Sequence, residues 1–301
     1  MNDIHTAPTA GRTALITGAN NGIGLELTRR LLAEGWDVAA LIRSPFAAED
    51  EAISAAIRAG QLRVYTAELT DYRQLAPALK RIRHEETAID VLFNNAGGSL
   101  AELEFSPQGR EKHYELQTVV PYILYRETKE LLLRGSLKTV IGTSSNAFAY
   151  TKKFDPDKLA KPGTFKPLTG AYADTKLALS LWTQALAPAE AADGILLRSA
   201  DPGPNNTLRK GKKSGLPFPV HYLMHFFFAP PTQGAGRLHE AAFGPYRDQT
   251  GVLIDKKGIV KLKFADQAQA VLDNVDRIYR EEFQILMREK TTDATVSAAP
   301  L

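Results

Sequence analysis

Cysteine is missing from all 301 residues. Its absence excludes disulfides, thiolate nucleophiles and thiolate-ligated metals, although it does not fix a compartment. An excess of either charge is missing too. Lys and Arg number 37 against 34 Asp and Glu, a formal net charge of +3, far from the concentrated basic surface that nucleic acid requires. The opening residues, MNDIHTAPTAGR, lack the apolar core of a secretory leader. The most apolar stretch, GLPFPVHYLMHFFFAPP from Gly215 to Pro231, is too short and too interrupted by proline and histidine to span a bilayer. With 44% hydrophobic and 24% charged residues the chain reads as an ordinary soluble globular protein. A cytoplasmic location is the expectation.

What is present is alternation. TALIT (Thr13–Thr17), DVAALI (Asp37–Ile42), LRVYTA (Leu62–Ala67), DVLF (Asp90–Phe93), KTVIGT (Lys138–Thr143) and ILLRSA (Ile195–Ala200) are short apolar runs of strand character. Amphipathic stretches separate them: Ile23, Leu27 and Leu31 share one helix face while Glu26, Arg29 and Arg30 point away. Asp71 begins a helix carrying Leu75, Leu79 and Ile82. Such alternation predicts an α/β fold, a doubly wound parallel sheet of about seven strands covered by helices on both faces. GVLIDKKG, from Gly251, supplies a last strand, and a terminal helix runs from about Asp266 to Arg288. One domain over residues 11–290 is expected, with tails at 1–10 and 291–301 and a substrate loop near 204–232.

Glycine clusters where the first strand meets the first helix. In TGANNGIG, Gly18, Gly22 and Gly24 surround Asn20, Asn21 and Ile23. Bare backbone there lets a phosphate approach main-chain amides and the positive end of a helix dipole. A tight strand-to-helix turn would need glycine as well, so position in the chain is what raises the signal. A second motif, NNAGG at Asn94–Gly98, follows the fourth strand.

Together these two motifs resemble the short-chain dehydrogenase/reductase family. The resemblance implies a Rossmann-type fold, a nicotinamide dinucleotide cofactor, and a second motif lying beside its adenosine half. Asn95 would offer an amide there, while Ala96 and Gly97 let the backbone come close. The second strand ends in ALIRSP, where an acidic residue would bind the ribose hydroxyls of NAD. Ile42 and Arg43 stand there instead, and a guanidinium suits the 2′-phosphate of NADP; a merely solvated Arg43 is the alternative. The family also places Glu68, of AELTD, near the adenine, where an aspartate is commoner, and Leu69 is a further cofactor-binding candidate.

The reaction centre is read from AYADTK, where Tyr172 and Lys176 stand one helical turn apart. A phenol of pKa near ~10 is a poor acid at neutral pH, and an adjacent ammonium stabilises its phenolate. Such a pair can pass a proton to or from an alcohol oxygen while a nicotinamide exchanges hydride. GTSSNAF provides a hydroxyl: Ser145 aligns with the family's catalytic serine, and Ser144 is the fallback. A second Y-x-x-x-K pair, Tyr125 with Lys129, precedes the serine strand and is read as a packed aromatic beside surface charge. DPGPNNT, from Asp201 to Thr207, resembles the family stretch that closes over the nicotinamide, with Pro202, Gly203 and Thr207 as its contacts.

Two departures stand out. The family's relay asparagine is replaced by Gln117, in HYELQTVVPYIL. The interval from Ser145 to Tyr172 is long, and its insert, AYTKKFDPDKLAKPGTFKPLTG, is similar to the retinol dehydrogenase-like and protochlorophyllide reductase-like branch. The resemblance extends from about Arg12 to Gly258. His221 and His225 lack the glutamate of a zinc helix, so no metal is expected. LRKGKKSG, Leu208–Gly215, reads as a solvated loop, with a membrane surface as the lesser alternative. Trp36 and Trp182 read as packing residues.

These readings converge on an NADP-dependent oxidoreductase interconverting a carbonyl and an alcohol. NAD is the lesser alternative as cofactor. An apolar small-molecule substrate is suggested by Phe148, Tyr150, Phe218, Tyr222 and Phe226, and a homodimer or homotetramer by the family. Two alternatives compete: a catalytically weak NADP-binding sensor or scaffold, encouraged by Gln117, and a nucleotide-sugar epimerase, which needs a larger C-terminal domain.

Overall fold

A computed structural model describes residues 11–205 and 229–288. The expected tails at 1–10 and 291–301 lie outside the described residues. So does most of the expected substrate loop, including Thr207, the basic run, His221, His225, Phe218, Tyr222 and Phe226.

The apolar runs form one sheet in the order β3-β2-β1-β4-β5-β6-β7-β8. Its strands are β1 Thr13–Thr17, β2 Asp37–Ile42, β3 Leu62–Thr66, β4 Val91–Asn94, β5 Thr139–Thr143, β6 Leu196–Ala200, β7 Val252–Asp255 and β8 Gly258–Val260. All are parallel except β8, which pairs antiparallel with β7. The eighth strand departs from the expected single last strand. Asp255 pairs with Gly258 across a two-residue turn, Gly258 adopts φ 113°, and the Asp255 carboxylate accepts from the Lys257 amide. DKKG is therefore a hairpin turn.

Helices cover both faces. They are α1 Gly22–Ala33, α2 Glu51–Arg58, α3 Tyr72–Glu85, α4 Lys112–Tyr114, α5 Val120–Arg134, α6 Ala171–Ala191, α7 Pro231–Phe243 and α8 Ala268–Ile278. Side chains alternate across each strand, so Ala14 and Ile16 enter one core with Leu27, Leu31 and Leu238, whereas Leu15 enters the other with Leu79, Ile123 and Leu177. Trp36 and Trp182 are both enclosed, one in each core.

Two stretches depart from plain α-helix. Glu115–Val119, between α4 and α5, and Tyr279–Phe283, after α8, are π-helical. The terminal helix expected from Asp266 is thus a short 3-10 turn, then α8, then a π turn leading on to Arg288. No described helix is long and apolar enough to cross a membrane.

Register brings the strand ends together. Asn94 pairs with Gly142, and Thr143 with Ala200, so the residues following β1, β4, β5 and β6 share one edge. Strand order reverses between β1 and β4, which opens a crevice at that edge.

Candidate active site

The glycine turn sits at the crevice. Gly18 and Gly22 adopt φ 66° and 49°, a region that favours glycine. Gly24 serves a different purpose: a Cβ there would overlap the Gly18 carbonyl, so this glycine lets helix and turn pack on each other. Asp50 and Asp71 cap α2 and α3 with their side chains, but Asn21, the residue before α1, makes no such bond. The first amides of α1 thus have neither an intrahelical acceptor nor a side-chain cap, the arrangement that suits an anion.

The asparagines are spent on the fold. Asn20 Nδ2 donates to the Ser44 carbonyl at 2.5 Å and to the Pro45 carbonyl, tying the turn to the end of β2. Asn95 Nδ2 donates to the Thr17 carbonyl at 3.0 Å. Thr17 Oγ1 accepts from the amides of Asn95 and Ala96, both at 2.9 Å. Thr17 therefore fixes the second motif, a role hidden within an apolar strand. Ile23 is half-buried, and Leu69 points into the core, which leaves its side chain unavailable to an adenine.

Arg43 Nη1 donates to Glu68 at 2.9 Å. Burial pushes the Glu68 carboxyl up, but hydrogen bonds from Arg43 and Thr70 more than offset this and hold it below the usual range. Pro202 and Gly203 follow β6. Arg237 donates to the Pro202 carbonyl at 2.9 Å and fills the space where a Gly203 side chain would stand.

The serines divide cleanly. Ser144 is buried and bonded to the Lys176 carbonyl and Ser180, hence turned into the core. Ser145, half-buried, accepts from the Ala147 amide and faces the Tyr172 phenol. Tyr172 lies in the first turn of α6. Lys176, one turn on, is 3% exposed and donates to the Thr143 carbonyl at 2.5 Å. Its Nζ stands 5.9 Å from the centre of the Tyr172 ring.

Acidities here depart from the sequence expectation. Burial raises the Tyr172 pKa, and it is Ser145, not Lys176, whose hydrogen bond draws it down. Burial also pushes Lys176 down to about 7, with the Asp201 carboxylate pulling the other way. The cause is enclosure: a desolvated ammonium loses the charge that would stabilise a phenolate.

Gln117 stands on the π-helical segment. Its Nε2 donates to the Gly98 carbonyl at 3.2 Å, and its Oε1 is buried without a partner. Asp201 is buried beside the same centre and accepts from the Gly203 amide at 2.8 Å. Behind Tyr172 lies a pair with no sequence signal. His113 Nδ1 contacts Glu111 at 2.6 Å, and its Nε2 accepts from the Leu100 amide at 2.9 Å. The His113 ring stacks on Phe165 of the insert and abuts the Tyr172 ring edge-on, with centres 5.9 Å apart. The other Y-x-x-x-K pair is structural: Tyr125 is buried, and Lys129 pairs with Glu190 and Asp193. Of the aromatics proposed for a pocket wall, Phe148 is buried in the core instead and Tyr150 is 71% exposed.

Comparison with known proteins decides the family. A model of the short chain dehydrogenase family matches residues 12–154. Oxidoreductase UcpA of Escherichia coli K12 is 31% identical over 208 residues, covering 64% of this chain and 69% of that protein. The chain belongs to the short-chain dehydrogenase family. Mouse retinol dehydrogenase 12, another relative, is 28% identical over 195 residues, or 64% of this chain, and the match spans 61% of its length. Among solved structures, NADPH-bound carbonyl reductase from chicken fatty liver superposes with a TM-score of 0.63 at 22% identity, covering 86% of this chain and 97% of that one. Its likeness shows that this short-chain dehydrogenase has the same fold.

Proposed function

We propose that this short-chain dehydrogenase interconverts a carbonyl and an alcohol with NADP(H), Tyr172 exchanging the proton. The observation that carries the reading is the convergence of Tyr172, Ser145 and Lys176 at the sheet edge that also bears the glycine turn and the uncapped start of α1. The sensor reading draws no support from a centre in which hydroxyl, phenol and amine are all assembled.

The residues fit a dinucleotide. The uncapped amides of α1 would receive its pyrophosphate, Arg43 a 2′-phosphate, and the backbone at Ala96, Gly97, Pro202 and Gly203 would border it. When bound, the nicotinamide supplies or accepts hydride at carbon. Everything else falls to side chains. In reduction, the Tyr172 hydroxyl donates its proton to the substrate oxygen and Ser145 donates a hydrogen bond to the same atom as charge develops. Lys176 holds the β5 end through Thr143 and, when protonated, favours the phenolate left on Tyr172. Gln117 Oε1, buried without a partner, would accept from a water held by Lys176, through which the proton is restored. The retinol dehydrogenase relative supports an apolar substrate, and Tyr150 offers an exposed ring just beyond Ser145.

The test is NADPH oxidation against a panel of apolar ketones and aldehydes, with NADH in parallel. Tyr172→Phe should lower turnover by about 10²–10⁴-fold while cofactor binding is retained. Unchanged turnover would refute the assignment. Arg43→Ala should weaken NADPH more than NADH; equal weakening would remove NADP.

A further inference from the structure

Arg43 and Glu68 follow neighbouring strands in register, since Ile42 pairs with Thr66. The two side chains meet at 2.9 Å, one 48% and the other 26% exposed. Their anchoring is unequal. Glu68 Oε1 accepts from the Thr70 amide at 3.3 Å and the Thr70 hydroxyl at 3.0 Å, and the Glu68 amide donates to Gln74. The carboxylate is therefore fixed by its own turn. Arg43 has this carboxylate as its single ion-pair partner among the described residues. Among those residues only Nη1 is engaged, so a phosphate seated across both terminal nitrogens of the fork must take that position from Glu68.

We propose that Glu68 is an internal counter-anion that a 2′-phosphate must displace from Arg43, so that Glu68 sets how strongly the chain discriminates NADP from NAD. The inference rests on the NADP reading above. Without a phosphate, the pair neutralises Arg43. With one, Glu68 opposes binding twice, by competing for the guanidinium and by repelling a second anion. A 5′-phosphate at the α1 amides involves neither effect, and any contact of Glu68 with the adenine is shared by both ligands, so the counter-anion is read from the ratio of their affinities.

Calorimetric titration of the full-length, cofactor-free chain with adenosine 2′,5′-bisphosphate and with 5′-AMP tests this directly. Glu68→Gln retains an oxygen for Thr70 but drops the charge. It should raise the affinity for the bisphosphate relative to 5′-AMP by about fivefold, the scale of an exposed ion pair, any contact with the adenine being common to both ligands. In an Arg43→Ala background the gain should vanish. A ratio of bisphosphate to 5′-AMP affinity that is unchanged or lowered in Glu68→Gln overturns the proposal, and a lowered ratio would make Glu68 a support for Arg43. Should both the unaltered chain and Glu68→Gln bind the two ligands equally, the NADP reading itself fails and carries the proposal with it. A preference for the bisphosphate that ignores Glu68 leaves that reading standing and overturns the proposal alone.

Discussion

Gly97 and Gln117 occupy one point in the crevice: a Cβ on Gly97 would stand 2.9 Å from Gln117 Oε1 and 3.3 Å from Lys176 Nζ. The motif after β4 is therefore shaped for the amide and the amine. Gly97→Ala should push aside the flexible end of Gln117 at little cost in stability, because that end can rotate. Turnover should fall by about ten- to a hundredfold, as misplacement near a reacting centre does. Steady-state kinetics beside a thermal melt check this. Adding Gln117→Asn, one methylene shorter, should recover part of the rate.

The Glu111–His113 pair gives a separate prediction. Because Nε2 of His113 accepts from Leu100, Nδ1 carries the proton and donates it to the Glu111 carboxylate. His113→Phe preserves the ring against Phe165 and Tyr172 but leaves one oxygen of the buried Glu111 carboxylate and the half-buried Leu100 amide without a partner. Urea unfolding should show a loss of about 2–4 kcal/mol. Glu111→Gln should cost less, since its amide oxygen still accepts from the Tyr114 amide or from His113.

Much of the fold was legible because parallel strands buried on both faces must be apolar, and TALIT and DVAALI carry that demand within their own residues. Gly18 and Gly22 were legible for the same local reason: a positive φ excludes most side chains. What sequence spacing did not disclose lies in long-range polar pairing. The tie from Thr17 to Asn95 spans 78 residues and looks like any strand threonine. The Tyr172–Lys176 spacing told where the two side chains stand, but their acidity depends on how thoroughly other segments enclose them. Phe148 and Tyr150 show the same limit, for two neighbouring aromatics went one to the core and one to solvent.

A buried network steadies the segment that carries Gln117. Arg110 Nε donates to Glu115 at 2.7 Å, Tyr72 donates to the same carboxylate at 2.7 Å, and Arg110 also binds Glu282. Arg110→Met would leave Glu115, fully enclosed in the π-helical segment, without its cation. A loss of about 3–5 kcal/mol follows, with a smaller loss in Arg110→Met/Glu115→Leu because the charge then left unpaired, on Glu282, is exposed to solvent. Chemical denaturation of the two variants separates these outcomes.

Lys176 couples stability to pH. Its folded value, pushed down to about 7 by burial with Asp201 opposing, lies well below that of a lysine in an unfolded chain, near ~10.4. Below pH 7 both states carry the proton, so this group adds no pH dependence. Above it the unfolded state holds a proton that the folded state has released, and stability rises with pH until the unfolded lysine also titrates. The slope is at most ~1.4 kcal/mol per pH unit. Lys176→Met lacks this term, and its other lysines cancel in the difference. The stability of the native chain minus that of the variant should therefore grow by on the order of 1–2 kcal/mol between pH 7 and pH 9, read from urea unfolding at each pH. A flat difference would mean that Asp201 keeps the ammonium charged throughout, leaving Lys176 a standing cation for the Tyr172 phenolate.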